Sequence, residues 1–513
     1  MLVYALLACT ADGADSSVLP IHATAADTLP KVAPAFVLLA QLGADGGISV
    51  GGTVQSELWV DLDAPTDTRD AFRYRVLDES GDLLYERSAP GPVIVRDFLE
   101  YYGESSGFDL LELYPPLGAF PVLVPILDGA ASVELQLRDG DGAYQTEGSY
   151  ALGLALADDR GVADFVTGAA TLWEGGPPES ALDIVLLGDG YTADEQADWQ
   201  ADADTLTESI LGAAPFADFS SGLNIHRLDA VSAESGASYD CVDECRTRDT
   251  AYQSVFPLEI VNALLGTTYR TTAVFQTDQW RVAQAASRVP WDFVLVLVNT
   301  EHSGGFAVHY ASVAKGYGNW DEVAVHELAH VVGLLGDEYN VDDCIRSDAL
   351  GLPVNITDEP ESPPWAHWIE GDTPLPTPDR SEYNDVVGAF EGAYNCDDLY
   401  RPAMSCRMSG SSNDAFCPVC QEQIYRRFFR FLDPATGVTV SETGSGIEFA
   451  VEGLRVEATA SLWVDGEKTD GLSMSNADYG GQSHEVEVRV ESAFDDVLDG
   501  GDDLVETWRF TVE

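Results

Sequence analysis

Two histidines and a glutamate near the middle of the chain have the spacing of a metal site that carries out hydrolysis. The segment His326–His330 reads H-E-L-A-H, within a pattern that predicts a helix from Trp320 to Val332. Residues four apart lie on one face of a helix, so both imidazoles can hold one ion. Glu327 lies on the adjacent flank, where its carboxylate can take a proton from a metal-bound water. This arrangement is the one that peptide hydrolysis requires.

Chance is a weak explanation for this pattern. The chain has 513 residues, of which 8 are histidine and 87 are acidic. That composition predicts only about 0.02 occurrences of His-acid-x-x-His. We therefore predict one catalytic Zn²⁺ ligated by His326 and His330, with Glu327 as the general base.

A catalytic zinc site needs a third protein ligand and an open position for water. The metzincin pattern H-E-x-x-H-x-x-G-x-x-H uses a glycine to turn the chain towards a third histidine. Gly333 matches that glycine, but Gly336 stands where the histidine would be. Asp337 and Glu338 follow directly, and a carboxylate is an acceptable zinc ligand. A site completed from a downstream helix would have to use Glu382, and the proline-rich segment before it argues against a helix.

The segment His326–Tyr339 (HELAHVVGLLGDEY) resembles the active-site signature of the IgA-specific metallopeptidases, a metzincin-like family of bacterial zinc endopeptidases. The resemblance extends over about 182–430. It includes LLGDGYT at 186–192, Pro215-Phe216, Asn224-Ile225, Ser235-Gly236, the W-x-x-W and P-L-P-T-P patterns of 365–378, VGAFEGAY at 387–394 and Tyr400-Arg401-Pro402. It implies that Asp337 is the third zinc ligand, with Glu338 as the alternative.

Metzincins also place a methionine beneath the zinc in a tight turn. The segment from Met404 to Met408 (MSCRM) offers two candidates, and Met408, which is followed by Ser409-Gly410, is the prediction. Met404 is the alternative. A plain core methionine is the competing interpretation, because methionine fills gaps in any core.

The chain has eight cysteines. Cys9 ends a short apolar segment, residues 1–9 (MLVYALLAC), that resembles a bacterial lipoprotein signal peptide with the cysteine as lipid acceptor. The segment lacks basic residues at its start, so a chance match is the alternative. The other seven are crowded in the middle of the chain: Cys241, Cys245, Cys344, Cys396, Cys406, Cys417 and Cys420.

In an exported protein, crowded cysteines predict disulfides that hold loops around a site. Cys417 and Cys420 form a C-P-V-C pair, which also fits a redox motif or a zinc knuckle. No second pair of this spacing accompanies it, so disulfides to Cys344, Cys396 or Cys406 are the prediction.

The chain is strongly acidic, with a formal net charge of -61. A surface field of this sign argues against nucleic acid and anionic lipid as partners. No stretch after the first residues reaches the roughly 20 apolar residues that span a bilayer. We expect a protein or peptide substrate and a secreted or surface-tethered bacterial protein, held to the outer membrane if Cys9 is lipidated.

The hydrophobic patterns predict a multidomain protein. After the signal-like segment 1–9, a small polar tether is expected at 10–34 and an all-β sandwich-like domain at 35–173. A central α/β metzincin-like peptidase domain follows at 174–433, with buried strands such as 182–187 and 293–298. A second all-β sandwich-like domain is predicted at 434–513. The acidic stretch 495–503 lacks the spacing of a calcium loop and is interpreted as a solvated turn.

Together these features predict a zinc endopeptidase that acts on extracellular proteins. Family resemblance does not carry specificity, so immunoglobulin A is not predicted as the substrate. One alternative is a surface lipoprotein that binds a protein or glycan and has a structural zinc site; another is a zinc hydrolase of cell-wall peptide. The loop around His302 is a candidate substrate rim, whereas His226, His309 and His367 are interpreted as structural.

Overall fold

The computed structural model describes residues 23–25, 32–43, 47–61, 72–89, 119–138, 143–152, 162–239, 246–256, 260–262, 267–269, 273–307, 309–340, 352–410, 415–429, 432, 435, 437–454, 458–479, 482–492 and 505–512. The signal-like segment with Cys9, three further cysteines (Cys241, Cys245 and Cys344) and the acidic stretch 495–503 lie outside these residues.

Short alternating runs in the first third of the chain form antiparallel strands. Phe72, Tyr74 and Val76 are buried in alternation, as expected for a sheet with one face on a core. Two sheets result, with orders β3-β2-β6 and β5-β4-β7-β8. The strands are β1 Ala23–Ala25, β2 Val32–Leu42, β3 Ile48–Asp61, β4 Phe72–Asp78, β5 Leu83–Ala89, β6 Ala119–Pro125, β7 Ala130–Arg138 and β8 Tyr144–Ala151.

From residue 162 to 340 strands and helices alternate. The elements are α1 Val162–Phe165, β9 Val166–Glu174, β10 Leu182–Asp189, α2 Gln196–Gly212, β11 Leu223–Ala230, β12 Ser238–Tyr239, β13 Ser254–Phe256, β14 Ile260–Asn262, β15 Thr267–Tyr269, β16 Phe275–Gln276, α3 Gln279–Ala286, β17 Phe293–Val298, β18 Ser303–Ala307, β19 Ala311–Lys315 and α4 Trp320–Gly333. The predicted α/β character of this region is confirmed.

A six-stranded sheet with the order β18-β19-β17-β10-β11-β9 forms the centre of this region. The four inner strands are parallel, and the edge strands β9 and β18 are antiparallel to their neighbours. Every residue of β10 and of β17 is buried. The wholly apolar sequence of β17 and the apolar run 184–187 within β10 fit strands whose two faces are both covered. Helix α4 packs against β17, β18 and β19 and beside α2.

Between α4 and one further helix, the described residues 334–340, 352–410 and 415–417 form little regular structure. The elements are β20 Phe390–Ala393, β21 Cys396–Arg401 and α5 Pro418–Phe428. Single-turn 3₁₀ helices stand at Pro178–Ser180, Ala193–Glu195, Ser220–Gly222, Ala366–Trp368, Ser381–Tyr383 and Arg407–Ser409. Helix α5 packs against α4.

The C-terminal strands have their own core, which includes Ile447, Phe449, Leu462 and Val488. Their sheets have the orders β22-β23-β26 and β1-β28-β27-β24-β25, so β1, from the segment predicted as a tether, pairs with the last strand. The elements are β22 Gly437–Thr443, β23 Gly446–Glu452, β24 Ala458–Val464, β25 Glu467–Lys468, β26 Ser473–Ser475, α6 Asn476–Tyr479, β27 His484–Ser492 and β28 Val505–Val512.

The chain divides into two compact units, one of residues 30–433 with 494–503 and one of residues 1–29, 434–493 and 504–513. β-Sheets flank the central α/β region on both sides in the sequence, as predicted. The sandwich form of these sheets and the bounds of the five predicted segments stay predictions. Among the described residues, no helix is both long and apolar enough to cross a bilayer.

Within the larger unit the N-terminal strands share one core with the α/β region. The indole of Trp280 donates to Ala40 O at 3.3 Å. The ring of His309 stacks on Phe120 with centroids 5.7 Å apart. The Nε2 atom of His309 is buried without a hydrogen-bond partner. Burial lowers the pKa of His309 to about 4, so the ring is neutral at pH 7.

His309 is expected to make the stability of this unit depend on pH. A histidine in an unfolded chain has a pKa of about 6.5, so between about pH 6.5 and 4 the unfolded state binds the extra proton. The free energy of unfolding therefore falls with pH over this window, by at most about 3 kcal/mol from His309. The change His309→Phe should remove this contribution.

The measurement is urea unfolding of the parent and the His309→Phe variant at pH 7.5 and pH 4.5. The parent should lose more stability than the variant on acidification. Equal losses would show that protonation of His309 does not oppose folding.

Candidate metal centre

Helix α4 presents His326 and His330 on one face. Asp321 and Glu322 in its first turn complement the positive end of the helix dipole. The helix ends at Gly333, and Leu334 takes the left-handed conformation with φ 53°. The sequence interpretation placed the turn at Gly333, and this is wrong by one residue.

Gly333 is needed for space and not for a positive φ. A Cβ at this position would lie 3.0 Å from Ile424 Cγ1 and 3.0 Å from Leu335 Cγ. The glycine therefore lets α4 and α5 approach closely, while Leu334 reverses the chain.

The reversal brings Asp337 back to the two histidines. Asp337 Oδ1 lies 3.2 Å from His326 Nε2 and 3.3 Å from His330 Nε2. The two Nε2 atoms are 3.1 Å apart. In a tetrahedral zinc site with ligand bonds of 2.0–2.1 Å, neighbouring ligand atoms are about 3.3 Å apart. The three atoms therefore have the mutual spacing of three zinc ligands.

Each imidazole is oriented by a hydrogen bond from its other nitrogen. His326 Nδ1 lies 2.9 Å from Arg407 O, and His330 Nδ1 lies 2.7 Å from Leu335 O. A carbonyl oxygen only accepts, so each Nδ1 carries its proton and donates. Each Nε2 is then the nitrogen that can offer a lone pair to an ion.

The electrostatics of the three groups favour a positive charge between them. Burial lowers the pKa of His330, but the charge and hydrogen bonding of Asp337 outweigh this effect and raise the pKa to about 9. Burial raises the pKa of Asp337, but the charge of His330 and contacts with both histidines hold this pKa well below its usual range. Asp337 Oδ1 nevertheless has no aligned hydrogen-bond donor. A divalent cation fits this donor set.

Glu327 lies beside the three converging atoms and is only 8% exposed. Burial raises the pKa of its carboxyl, and the charges of His326 and His330 counteract this effect. The carboxyl rests against the middle of β18, because a Cβ added to Gly305 would lie 2.0 Å from Glu327 Oε1. A buried carboxyl with a raised pKa beside the three ligand candidates can act as a general base.

A comparison with known protein families identifies the family of the central region. Residues 170–384 match the family model described as IgA Peptidase M64. This part of the chain belongs to the IgA Peptidase M64 family. A search of curated proteins found no match. Membership implies peptidase activity, that is hydrolysis, with a metal and a protein substrate. The resemblance seen in the sequence is confirmed over this range.

The turn around Met408, which follows the M64 match in the sequence, contacts two segments of the candidate metal centre. Met408 is fully buried in the 3₁₀ turn Arg407–Ser409, whereas Met404 is only partly buried. The carbonyl of Arg407 orients His326, and the carbonyl of Met408 accepts from Glu338 N at 2.7 Å. The turn that carries Met408 thus fixes one histidine and the segment of the third ligand candidate.

Two other candidates for the third ligand lie elsewhere. Glu338 is fully buried, but it accepts from Asn355 Nδ2 at 2.9 Å and lies 3.0 Å from Cys420 Sγ, away from the histidines. Glu382 is exposed in the 3₁₀ turn Ser381–Tyr383, and no long helix carries it.

The predicted disulfides from Cys417 and Cys420 are wrong, whereas Cys396 is disulfide-bonded, as expected for part of this cysteine-rich region. Cys406, Cys417 and Cys420 are free and buried. The prediction rested on the crowding of cysteines in the sequence, which does not show where the sulfurs point. Here all three thiols turn towards the carboxyl of Glu338.

The remaining histidines of the M64 region are held by structural contacts. His226 Nε2 lies 2.9 Å from Asp183 Oδ1, and His367 Nε2 lies 2.7 Å from Glu422 Oε2. His302 is packed against an aromatic ring directly before β18, and its role at a substrate rim stays a prediction.

Three residues near the centre were missed in the sequence. Gly305 makes room for Glu327. The pKa of Tyr317 is raised by burial and by the charge of Glu327, which places this phenol within the field of the base. Asn355 accepts from Gly336 N at 2.8 Å and donates to Gly336 O at 2.9 Å, so it holds the backbone next to Asp337. Only the pair Gly304-Gly305, within a short strand, gave a signal in the sequence.

The change Gly305→Ala is expected to displace the Glu327 carboxyl and lower kcat/KM of peptide cleavage by at least about 100-fold, the contribution of a general base. Zinc content should not change, because the three ligand candidates are untouched. Gly318→Ala is the matched control, since a Cβ there meets nothing within 4 Å. Activity of the Gly305→Ala variant equal to that of the control would show that the position of Glu327 is not critical.

Proposed function

We propose that this protein is a zinc-dependent endopeptidase that cleaves extracellular proteins. His326, His330 and Asp337 hold the ion, and Glu327 is the general base. The observation that carries the proposal is the convergence of three ligand atoms at 3.1–3.3 Å beside a buried carboxyl. A purely structural zinc site has no use for such a carboxyl.

The ion, when bound, supplies Lewis-acid activation of water and of the scissile carbonyl. Glu327 accepts a proton from the attacking water and later gives it to the leaving amine. The buried environment raises the pKa of this carboxyl, which makes it a stronger base than an exposed glutamate. Asp337 balances part of the charge of the ion and, with the two carbonyl-bound imidazoles, fixes its place.

Strand β18 supports an endopeptidase. It is an edge strand, paired in the described part of the chain only with β19. An extended peptide can add to such an edge through backbone hydrogen bonds on both sides of the cleavage point. Because Gly305 lies against Glu327, a peptide on this edge passes beside the base. Chain ends are not required for this mode of binding.

We propose a secreted or surface-tethered location, on the grounds of the lipoprotein-like start of the sequence and the M64 membership of residues 170–384. The net charge of -61 favours substrates that are not themselves strongly acidic. Substrate identity within this class is left to cleavage-site mapping.

The first test is cleavage of a diverse peptide library by the parent and by Glu327→Ala, with bound zinc quantified in both. We expect equal zinc content and a loss of cleavage of at least about 100-fold in the variant, because only the proton acceptor is removed. If neither protein cuts although both hold zinc, a binding role for the chain gains support.

The change Asp337→Ala is expected to remove one zinc ion per chain and abolish cleavage, because two histidines alone form an incomplete site. Asp372→Ala, at an exposed carboxylate, is the control and should keep parental zinc and activity. Zinc is measured by mass spectrometry after dialysis. Full zinc content in Asp337→Ala would exclude this aspartate as a ligand.

A further inference from the structure

Four further groups that can ligate a metal meet on the other side of the Asp337 segment. They are Glu338, Cys406, Cys417 and Cys420, and one ligand atom from each lies within 4.8 Å of all the others. In a tetrahedral zinc site with Zn–S bonds of 2.3 Å, neighbouring sulfurs are about 3.8 Å apart. The four groups therefore already have nearly the spacing of one coordination sphere.

The cluster is closed to solvent. Glu338, Cys406 and Cys420 are 0% exposed and Cys417 is 4% exposed. Glu338 Oε1 accepts from Asn355 Nδ2, but Glu338 Oε2 is buried with no hydrogen-bond partner. A buried carboxyl oxygen without a partner is costly, and a cation would remove this cost. The unpartnered oxygen is an observation independent of the cysteine spacing.

The local structure fits a zinc knuckle. Cys417 is the N-cap of α5 and Cys420 lies in its first turn, so the C-P-V-C pair brings two sulfurs together at a helix N-terminus. Cys406 precedes the turn that carries Met408, and its sulfur accepts from Cys417 N at 3.2 Å. Backbone N–H groups that point at sulfur are typical of thiolates bound to a metal.

We propose that Cys406, Cys417, Cys420 and Glu338 bind a second zinc ion, which is structural. All four positions are filled by protein, as in closed structural sites, and three sulfurs select zinc over hard cations. A bound ion also keeps the three thiols from oxidising to a disulfide outside the cell.

This second ion connects the parts that support the first. Through Cys406 it holds the turn whose Arg407 carbonyl orients His326. Through Glu338 it holds the residue that follows Asp337. Loss of the second ion is therefore expected to loosen the catalytic centre without removing any of its ligands.

The test is metal counting on the full chain, purified without added metal. We expect two zinc ions per chain in the parent and in Glu327→Ala, and one in the double variant His326→Ala/His330→Ala. The inference is overturned if the parent holds one ion and the double variant none.

A second measurement does not depend on altering the cluster. Co²⁺ exchanged into the parent and into His326→Ala/His330→Ala should give the near-ultraviolet charge-transfer absorption of cobalt–thiolate bonds in both. Cys420→Ser in either background should weaken it. Absence of this absorption in a folded, cobalt-loaded parent contradicts the proposal.

The carboxylate ligand has its own matched pair of variants. Glu338→Gln should make loss of the second zinc to a chelator at least about tenfold faster, while Glu391→Gln, an exposed carboxylate on β20, should leave the rate unchanged. Equal rates in the two variants would remove Glu338 from the proposed ligand set.

The outcomes separate this inference from the peptidase proposal. A parent with two ions and no cleavage would overturn the function and leave the second site standing. A parent that cleaves peptides but holds only one ion per chain would overturn the second site and leave the peptidase function standing.

Discussion

The structure around the candidate metal centre depends on the charge of Asp337, which lies in a site with little solvent. The Asp337 side chain is 21% exposed, and the imidazoles beside it are 12% and 16% exposed. A carboxylate in such surroundings is tolerable only if positive charge stands next to it. The Nε2 atoms of the two imidazoles lie 3.2 and 3.3 Å from Asp337 Oδ1. They place positive charge beside the carboxylate when they hold either a proton or a metal ion.

Three separate segments keep Asp337 in this place by holding its backbone. Asn355 bonds both the N–H and the carbonyl of Gly336. Tyr394 N donates to Asp337 O at 3.1 Å, from a turn in which Tyr394 and Asn395 have φ of 48° and 60°. Glu338 N donates to the Met408 turn. Backbone hydrogen bonds on each side of Asp337 therefore fix the direction of its side chain and keep this ligand candidate rigid.

Local patterns carried most of what the sequence could predict. Helix α4 follows from its sequence pattern, and the buried strands β10 and β17 follow from continuous apolar runs. His326, Glu327 and His330 follow from a motif contained within one helix. The turn was assigned to Gly333 because this residue matches the glycine of the metzincin pattern, whereas the tight contact with α5 is what requires glycine there.

Tertiary contacts account for what the sequence did not predict. Asn355 lies 19 residues from its partner Gly336, and Cys406 lies 68 positions beyond Glu338, with no periodicity between them. The crowding of cysteines predicted disulfides from Cys417 and Cys420. The sequence did not show that these sulfurs and that of Cys406 meet the carboxyl of Glu338 instead. Gly305 lies on β18, which is separated from α4 in the sequence by β19. Only the fold shows that the backbone of Gly305 meets the Glu327 side chain.

The order of Asp337 and Glu338 is itself a constraint. Successive side chains of an extended chain point to opposite sides, and here one carboxyl faces two imidazoles while the next faces three sulfurs. A slip of one residue would move one carboxyl into the place of the other and leave Gly336 or Tyr339 in the second place. The bond from Glu338 N to Met408 O fixes this register, and Met408 lies between Cys406 and α5 in the chain. The same short turn thus orients His326, sets the register of both carboxyls and begins at Cys406, which contributes a sulfur to the second cluster. This shared turn explains why the two clusters lie side by side.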